Sequence, residues 1–262
     1  MNTAVTAKAT ATAKQVMMLV IGVILVIGCE IPDAGYQIPT EIEIVKAPGQ
    51  PRHPYQDEYE RMLYPTVRIS SPSGTGSGVV ISNTNHTNRD ELTRIDILTA
   101  AHVVEDENTV NLELYDSSII TGTVIITDTV KDLALIRVIC GIRDIRVKDI
   151  YFAHLAPRDY TPYIFTPVYT IGCSLGLSPR PSQGIISVIG KDLPAGRHGN
   201  WEVTSPVLPG NSGGPVYDAR TYEIIGIAVW VKVCQGQLVT TMAGIVPITE
   251  IYEFMEGYKR LQ

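Results

Sequence analysis

From about residue 65 onward the chain is written in short runs of Val, Ile and Thr. Thr66-Val67-Arg68-Ile69 alternates polar with apolar, the two-residue period of a half-buried strand. Similar runs follow at 79–81, 95–98, 110–114, 119–127 and 133–138. A second set lies at 167–172, 184–189, 201–204, 224–231 and 238–246, with a short apolar stretch after Ser212. β-Branched residues fit a pleated surface, and the Gly, Pro and Asn clusters between runs supply turns. About twelve such strands suit two small antiparallel barrels, an all-β fold. Residues 249–261 differ. Ile251, Tyr252, Met255 and Tyr258 recur there at helical spacing, which predicts one amphipathic C-terminal helix. Residues 140–162 carry charges and prolines without a long periodic run and read as the connection between the halves.

The N-terminal stretch is built differently. Lys8 and Lys14 are the only charges before Glu30, and Val16 to Ile27 is an apolar run. Its length of about a dozen residues matches a signal-peptide core and is short for a membrane-spanning helix. The run ends in Val26-Ile27-Gly28-Cys29. That ending resembles the lipobox of bacterial lipoproteins, in which the peptide is cut before a cysteine that then carries lipid. Leucine is usual where Val26 stands. For residues 1–29 the alternative is an uncleaved membrane anchor with an incidental cysteine. Both readings export the rest of the chain and tether it to a membrane, in a bacterial periplasm or at the cell surface. Residues 30–64 are broken by Pro32, Pro39, Pro48, Pro51 and Pro54 and read as a linker, with a short helix at 56–62. A prosegment is the alternative there.

Composition narrows the function classes. The chain has 262 residues, 45% of them hydrophobic, which is enough for a substantial core. A net charge of −6 offers no basic surface for nucleic acid. The cysteines are Cys29, Cys140, Cys173 and Cys234, so lipid on Cys29 would leave an odd number. No cysteine or histidine pair has ligand spacing, so neither a metal nor another cofactor is expected.

Candidate chemistry centres on Pro209-Gly210-Asn211-Ser212-Gly213-Gly214-Pro215. A serine hydroxyl is a poor nucleophile unless a base and a support for negative charge stand beside it. Glycines let the backbone turn tightly and aim N–H groups at one point. A plain turn between strands has the same composition, so the rest of the chain must supply the base. Thr99-Ala100-Ala101-His102 ends an apolar strand, and its small alanines allow a tight turn that would fix the imidazole. Asp132 immediately precedes the apolar run Leu133-Ala134-Leu135-Ile136. Such an aspartate is a turn residue or a carboxylate that orients an imidazole.

In this order the histidine, aspartate and serine segments resemble the trypsin-like serine proteases of the chymotrypsin fold. Gly76-Ser77-Gly78 and Gly226-Ile227-Ala228-Val229-Trp230 resemble segments of the same family. The resemblance implies two six-stranded antiparallel β-barrels, at about 65–150 and 160–262, closed by the short helix. It implies Ser212 as nucleophile, His102 as general base and Asp132 as its orienting acid. The Gly210 and Ser212 N–H groups would form the oxyanion hole. Val229-Trp230-Val231 would pair with extended substrate backbone, and Pro206 would lie near the base of the primary specificity pocket. Polypeptides would be the substrates; the oligomeric state stays open. A catalytically inactive peptide-binding module on the same fold is the alternative, since fold alone does not establish function.

Two departures matter. Asn211 stands where digestive members carry an aspartate that pairs with a new N-terminal amine after cleavage. A neutral amide cannot form that ion pair, so activity should not need that cleavage. Asn211 instead resembles the bacterial heat-shock (high-temperature-requirement) branch. Members of that branch usually carry a PDZ domain after the protease. The residues after Ser212 suffice only to finish a barrel and a helix, so a protease domain without PDZ is expected. Pro206 brings no charge to the pocket, and the branched Val231 stands where many members have glycine. The expected preference before the scissile bond is therefore a small or medium apolar residue. Peptide-library profiling tests this, and a dominant Arg/Lys preference refutes it.

Overall fold

The computed structural model describes residues 53–72, 74–85, 92–141, 150–190 and 201–260. The targeting segment 1–29 with Cys29, and the linker as far as residue 52, lie outside the described residues. Twelve strands are present among the described residues. The first barrel takes β1 (Thr66–Ser71), β2 (Gly74–Asn85), β3 (Leu92–Thr99), β4 (Thr109–Glu113), β5 (Ile119–Asp128) and β6 (Leu133–Gly141). It closes in the order β1-β2-β3-β6-β5-β4. The second takes β7 (Pro167–Gly172), β8 (Arg180–Ile189), β9 (Trp201–Val203), β10 (Pro215–Asp218), β11 (Ile224–Cys234) and β12 (Gln237–Pro247). It closes as β10-β11-β12-β9-β8-β7. Both are antiparallel throughout, the chymotrypsin-like arrangement expected from the sequence.

Continuous apolar runs, rather than strict alternation, mark the strands that are covered on both faces. In β3, Ile97 and Leu98 are both fully buried. Ile97 packs inside the first barrel with Ile69, Leu112 and Ile136. Its neighbour Leu98 points the other way, into a cluster shared with Leu135, Val216, Ile227 and the C-terminal helix. Burying a leucine side chain fully is worth about 1.5–3 kcal/mol, so this second cluster is a substantial bond between the barrels.

The glycines of residues 74–78 fall inside β2 in regular register, with Gly76 opposite Ile69 and Gly78 opposite Val67. The register shift comes later, between Val80 and Ser82. These glycines mark close approach. A methyl on Gly76 would overlap the Val103 side chain and lie 3.2 Å from the Ser212 carbonyl oxygen.

The C-terminal helix spans Ile248–Lys259. Ile248, Ile251 and Phe254 form its buried stripe, while Tyr252, Met255 and Tyr258 pack half-buried beside it. Phe254 was not among the expected stripe positions. It lies three residues after Ile251, on the same face. At 56–62 a three-residue α-turn, Gln56–Glu58, runs into a π-turn, Tyr59–Leu63. This segment packs on the fold: Met62 is buried, and its carbonyl accepts from Thr66 Oγ1 and Tyr217 Oη.

Gly184 in β8 is another obligatory close contact. A methyl there would overlap the Ser205 backbone and approach the Thr204 carbonyl carbon to 2.8 Å. Backbone gives way less easily than a flexible side chain. Gly184→Ala is expected to destabilise the protein by about 1–3 kcal/mol, as overpacking does, read as a lower urea midpoint at unchanged m-value. An unchanged midpoint would show that the β8–Ser205 crossing is loose.

Candidate active site

His102 sits in a single 3₁₀ turn, Ala101–Val103, at the end of β3. Ala100 and Ala101 are buried, so the turn is pressed onto the core while the imidazole stays partly open to solvent. Asp132 stands at the entry to β6 with φ of 53°, a left-handed conformation that aspartate tolerates better than most residues. β3 and β6 are paired, with Thr99 opposite Ala134, and this brings the two side chains together. One Asp132 oxygen accepts from the His102 backbone N–H at 3.0 Å. The carboxylate also meets His102 Nδ1, at 2.8 Å through Oδ2 and 3.1 Å through Oδ1. An ionised carboxylate only accepts, so Nδ1 carries the proton and Nε2 is left as the basic nitrogen.

This hydrogen bond raises the His102 pKa above the ordinary histidine value. Burial opposes the rise, and the negative charges of Asp132 and Glu105 add to it. A cleft of about 380 Å³ opens beside the imidazole, with Glu105, Asp106, Thr127 and Asp132 in its walls.

Ser212 lies on the turn before β10 and is half-buried. Its carbonyl accepts from the Ser77 N–H at 2.8 Å. Gly213 has φ of 82° and presses so closely on the end of β3 that a methyl there would overlap Ser77 and Thr99 and sit 2.9 Å from the Ala100 nitrogen. The serine turn and the histidine turn are therefore packed against the same strand end. Among the described residues no hydrogen bond links Ser212 Oγ to the imidazole. Such bonds commonly tighten only when substrate closes the site.

Before Ser212 the backbone is pinned at each step. The Pro209 carbonyl accepts from Leu175 N–H at 2.7 Å, and the Gly210 carbonyl accepts from Ser77 Oγ at 2.6 Å. Asn211 is buried, and its Oδ1 accepts from Ser174 Oγ at 2.6 Å. A neutral hydrogen bond thus satisfies the amide in place of an ion pair. Among the described residues, nothing accepts from the N–H groups of Gly210 or Ser212.

The other expected residues lie on the second barrel. Pro206 is exposed, and its carbonyl accepts from Ser182 Oγ at 2.9 Å. Val229 is buried in β11, while Trp230 and Val231 are half-buried. Trp230 pairs with Gly244 of β12, and its indole lies across that glycine so closely that a methyl there would overlap the ring. Gly244 went unnoticed in the sequence because nothing local ties a glycine in one strand to a tryptophan in the next. Ser77 was noticed only as part of a glycine motif. Its flanking glycines were the signal that another backbone would approach.

The model for the trypsin-like peptidase domain family matches residues 76–227. A serine protease named HhoB from Synechocystis is 32% identical over 160 residues, which is 59% of this chain and 34% of that protein. A periplasmic serine endoprotease, DegP-like, from Pseudomonas fluorescens is 30% identical over 179 residues, covering 68% of this chain and 32% of that one. The chain thus spans about a third of the length of these relatives. Among solved structures, the HtrA-type protease AlgW with a tripeptide superposes with a TM-score of 0.63 at 20% identity, over 77% of this chain and 62% of that one. A serine endoprotease from Yersinia pestis gives 0.60 at 22% identity, over 80% and 68%. These structures share the fold.

The raised imidazole has a definite pH signature. A group whose native pKa exceeds its unfolded value stabilises fully below the unfolded value, about 6.5 for histidine, and loses that contribution as pH rises through the native value. In Asp132→Asn the His102 pKa should fall toward the ordinary value, and this pH-dependent part of the stability should disappear. NMR titration of the His102 Cε1–H signal checks the first point. An unmoved pKa would mean that Asp132 does not cause the shift.

Proposed function

This chain belongs to the trypsin-like peptidase family, and we propose that it works as a serine endopeptidase on exported or misfolded polypeptides. One observation carries the reading. The Asp132 carboxylate grips His102 by both ring and backbone, and the turn bearing Ser212 is packed against the same strand end with two unengaged N–H groups. This supports a reading in which base, orienting acid, nucleophile and anion donors share one small region.

In the proposed reaction Ser212 Oγ attacks the scissile carbonyl while His102 Nε2 takes its proton. The carbonyl oxygen becomes an oxyanion and is held by the Gly210 and Ser212 N–H groups. Asp132 stabilises the imidazolium, which then gives its proton to the leaving amine. Water releases the acyl group by the same steps in reverse roles. The substrate backbone extends along Val229-Trp230-Val231 as an added strand, with the residue before the scissile bond directed toward Pro206. Because imidazole must be neutral to act as base, the raised His102 pKa places the acidic limb of kcat/KM above the ordinary histidine value.

The periplasmic assignment of the DegP-like relatives supports an exported site of action. The apolar N-terminal run supports membrane tethering, through lipid on Cys29 or as an uncleaved anchor. Residues 65–262 are proposed as the protease domain.

A fluorophosphonate probe tests the reading. Wild type should be labelled and Ser212→Ala should not. Ser212→Ala and His102→Ala should each remove most turnover, and the double variant should be hardly worse, because the three residues act as one unit. Absence of a Ser212-dependent adduct would leave a peptide-binding module instead.

A further inference from the structure

Ser77 is fully buried in β2 of the first barrel, yet most of its polar atoms are spent on the second. Its hydroxyl donates to the Gly210 carbonyl at 2.6 Å and accepts from the Cys173 N–H at 2.8 Å. Its own N–H donates to the Ser212 carbonyl at 2.8 Å. Its carbonyl accepts from Thr99 Oγ1 at 2.6 Å.

Gly210 needs such help. Its φ is 97°, and a side chain there would overlap the Cys173 carbonyl. Glycine is required, but glycine has no preferred orientation of its own. Two hydrogen bonds supply one. The peptide before Gly210 is fixed by Pro209 carbonyl to Leu175 N–H, and the peptide after it by Gly210 carbonyl to Ser77 Oγ. In a trans peptide the N–H points away from the carbonyl, so anchoring the Pro209 oxygen at Leu175 aims the Gly210 N–H to the opposite side. Leu175 lies in a turn, with φ of 57°, that follows directly on Cys173. The Cys173 N–H is held by the same Ser77 hydroxyl. One buried hydroxyl therefore grips Gly210 directly and also anchors the turn that grips the preceding peptide.

We propose that Ser77 is a positioning residue whose hydroxyl sets the orientation of the Gly210 N–H toward the reacting carbonyl. This rests on the serine endopeptidase reading and adds a part from the other barrel. It touches neither substrate nor proton in flight. It acts only through the Gly210 peptide, so its loss should weaken transition-state binding and spare ground-state binding.

Ser77→Ala is the test, beside Tyr217→Phe, which loses a buried hydrogen bond to the Met62 carbonyl and touches neither Gly210 nor Cys173. Loss of a whole oxyanion donor costs about 10²–10³ in kcat, so a misaimed one should cost about 10- to 100-fold. In Ser77→Ala, KM should stay within about twofold, and a peptide aldehyde inhibitor should weaken by the same factor as kcat/KM. Tyr217→Phe should lose stability and keep kcat. Independently of turnover, the glycine-selective ¹⁵N signal of Gly210 should show microsecond–millisecond exchange in Ser77→Ala and none in Tyr217→Phe. Should Ser77→Ala fail to fold, Ser77→Cys, of similar size and a poor donor, is read in the same way. Retained kcat in a folded variant, or a Gly210 signal without exchange, overturns the proposal. If wild type shows no Ser212-dependent turnover, the enzyme reading fails, and the Gly210 signal alone decides the role of Ser77.

Discussion

Two closed barrels cannot join by strand pairing, because closure leaves no free edge. They meet instead through side chains, loops and isolated backbone bonds, and the bond from Ser77 N–H in β2 to the Ser212 carbonyl ties the serine turn directly to the first barrel. Histidine and aspartate stand on the first barrel and serine on the second. Their spacing is therefore set between the barrels rather than within either. Small residues make the approach possible. Gly76 lets the Ser212 carbonyl come close to β2, and Gly213 lies against Thr99 and Ala100. The apolar cluster around Leu98, Leu135 and Ile227 resists separation, but it is not directional. Hydrogen bonds at Ser77 supply the direction.

The C-terminal helix contributes to the same end from behind. Lys131 immediately precedes Asp132, and its ammonium bonds to Glu250 and, at 2.9 Å, to Glu253 of the helix. Arg137 in β6 donates to Tyr258 Oη at 2.9 Å while pairing with Asp96. Partly exposed ion pairs of this kind add little stability each. Their value lies in position. The Lys131 pairs tie the helix to the entry of β6, next to Asp132 in its left-handed conformation, and Arg137 ties it to the middle of the same strand.

How much of this was legible in the sequence follows from the range of each interaction. Strands and the final helix were visible because their periodicity is local, and two barrels followed from strand number. Strand lengths were underestimated where glycine or proline interrupts a pattern without interrupting pairing, as in residues 74–78 of β2 and 180–183 of β8. His102 and Asp132 stood out because each is a polar residue at the edge of an apolar run, and the β3–β6 register brings them into contact. Ser77 shows in the sequence only as the middle of the Gly76-Ser77-Gly78 motif, and its partners were hidden for the opposite reason. Its partners, Cys173, Gly210 and Ser212, lie on distant segments, and a buried serine has no sequence pattern of its own.

The Asp132 carboxylate serves two ends that pull apart. In the proposed reaction a stronger hydrogen bond would make His102 a stronger base, which favours taking the serine proton. The same bond raises the pKa and so reduces the neutral fraction that can act as base near neutral pH. Glu105 pushes in the same direction. Burial pushes back, since it disfavours the imidazolium. The hydrogen bond outweighs burial in the free protein, where the histidine side chain is left 43% exposed while Asp132 is 16% exposed. A substrate lying over the imidazole would remove water from the ring and leave the carboxylate contact in place. Desolvation would then lower the pKa on binding and restore the neutral base at the moment it is needed. In the proposed reaction the open imidazole of the free protein is thus compatible with an efficient base in the complex, because the missing share of burial would be supplied by the substrate itself.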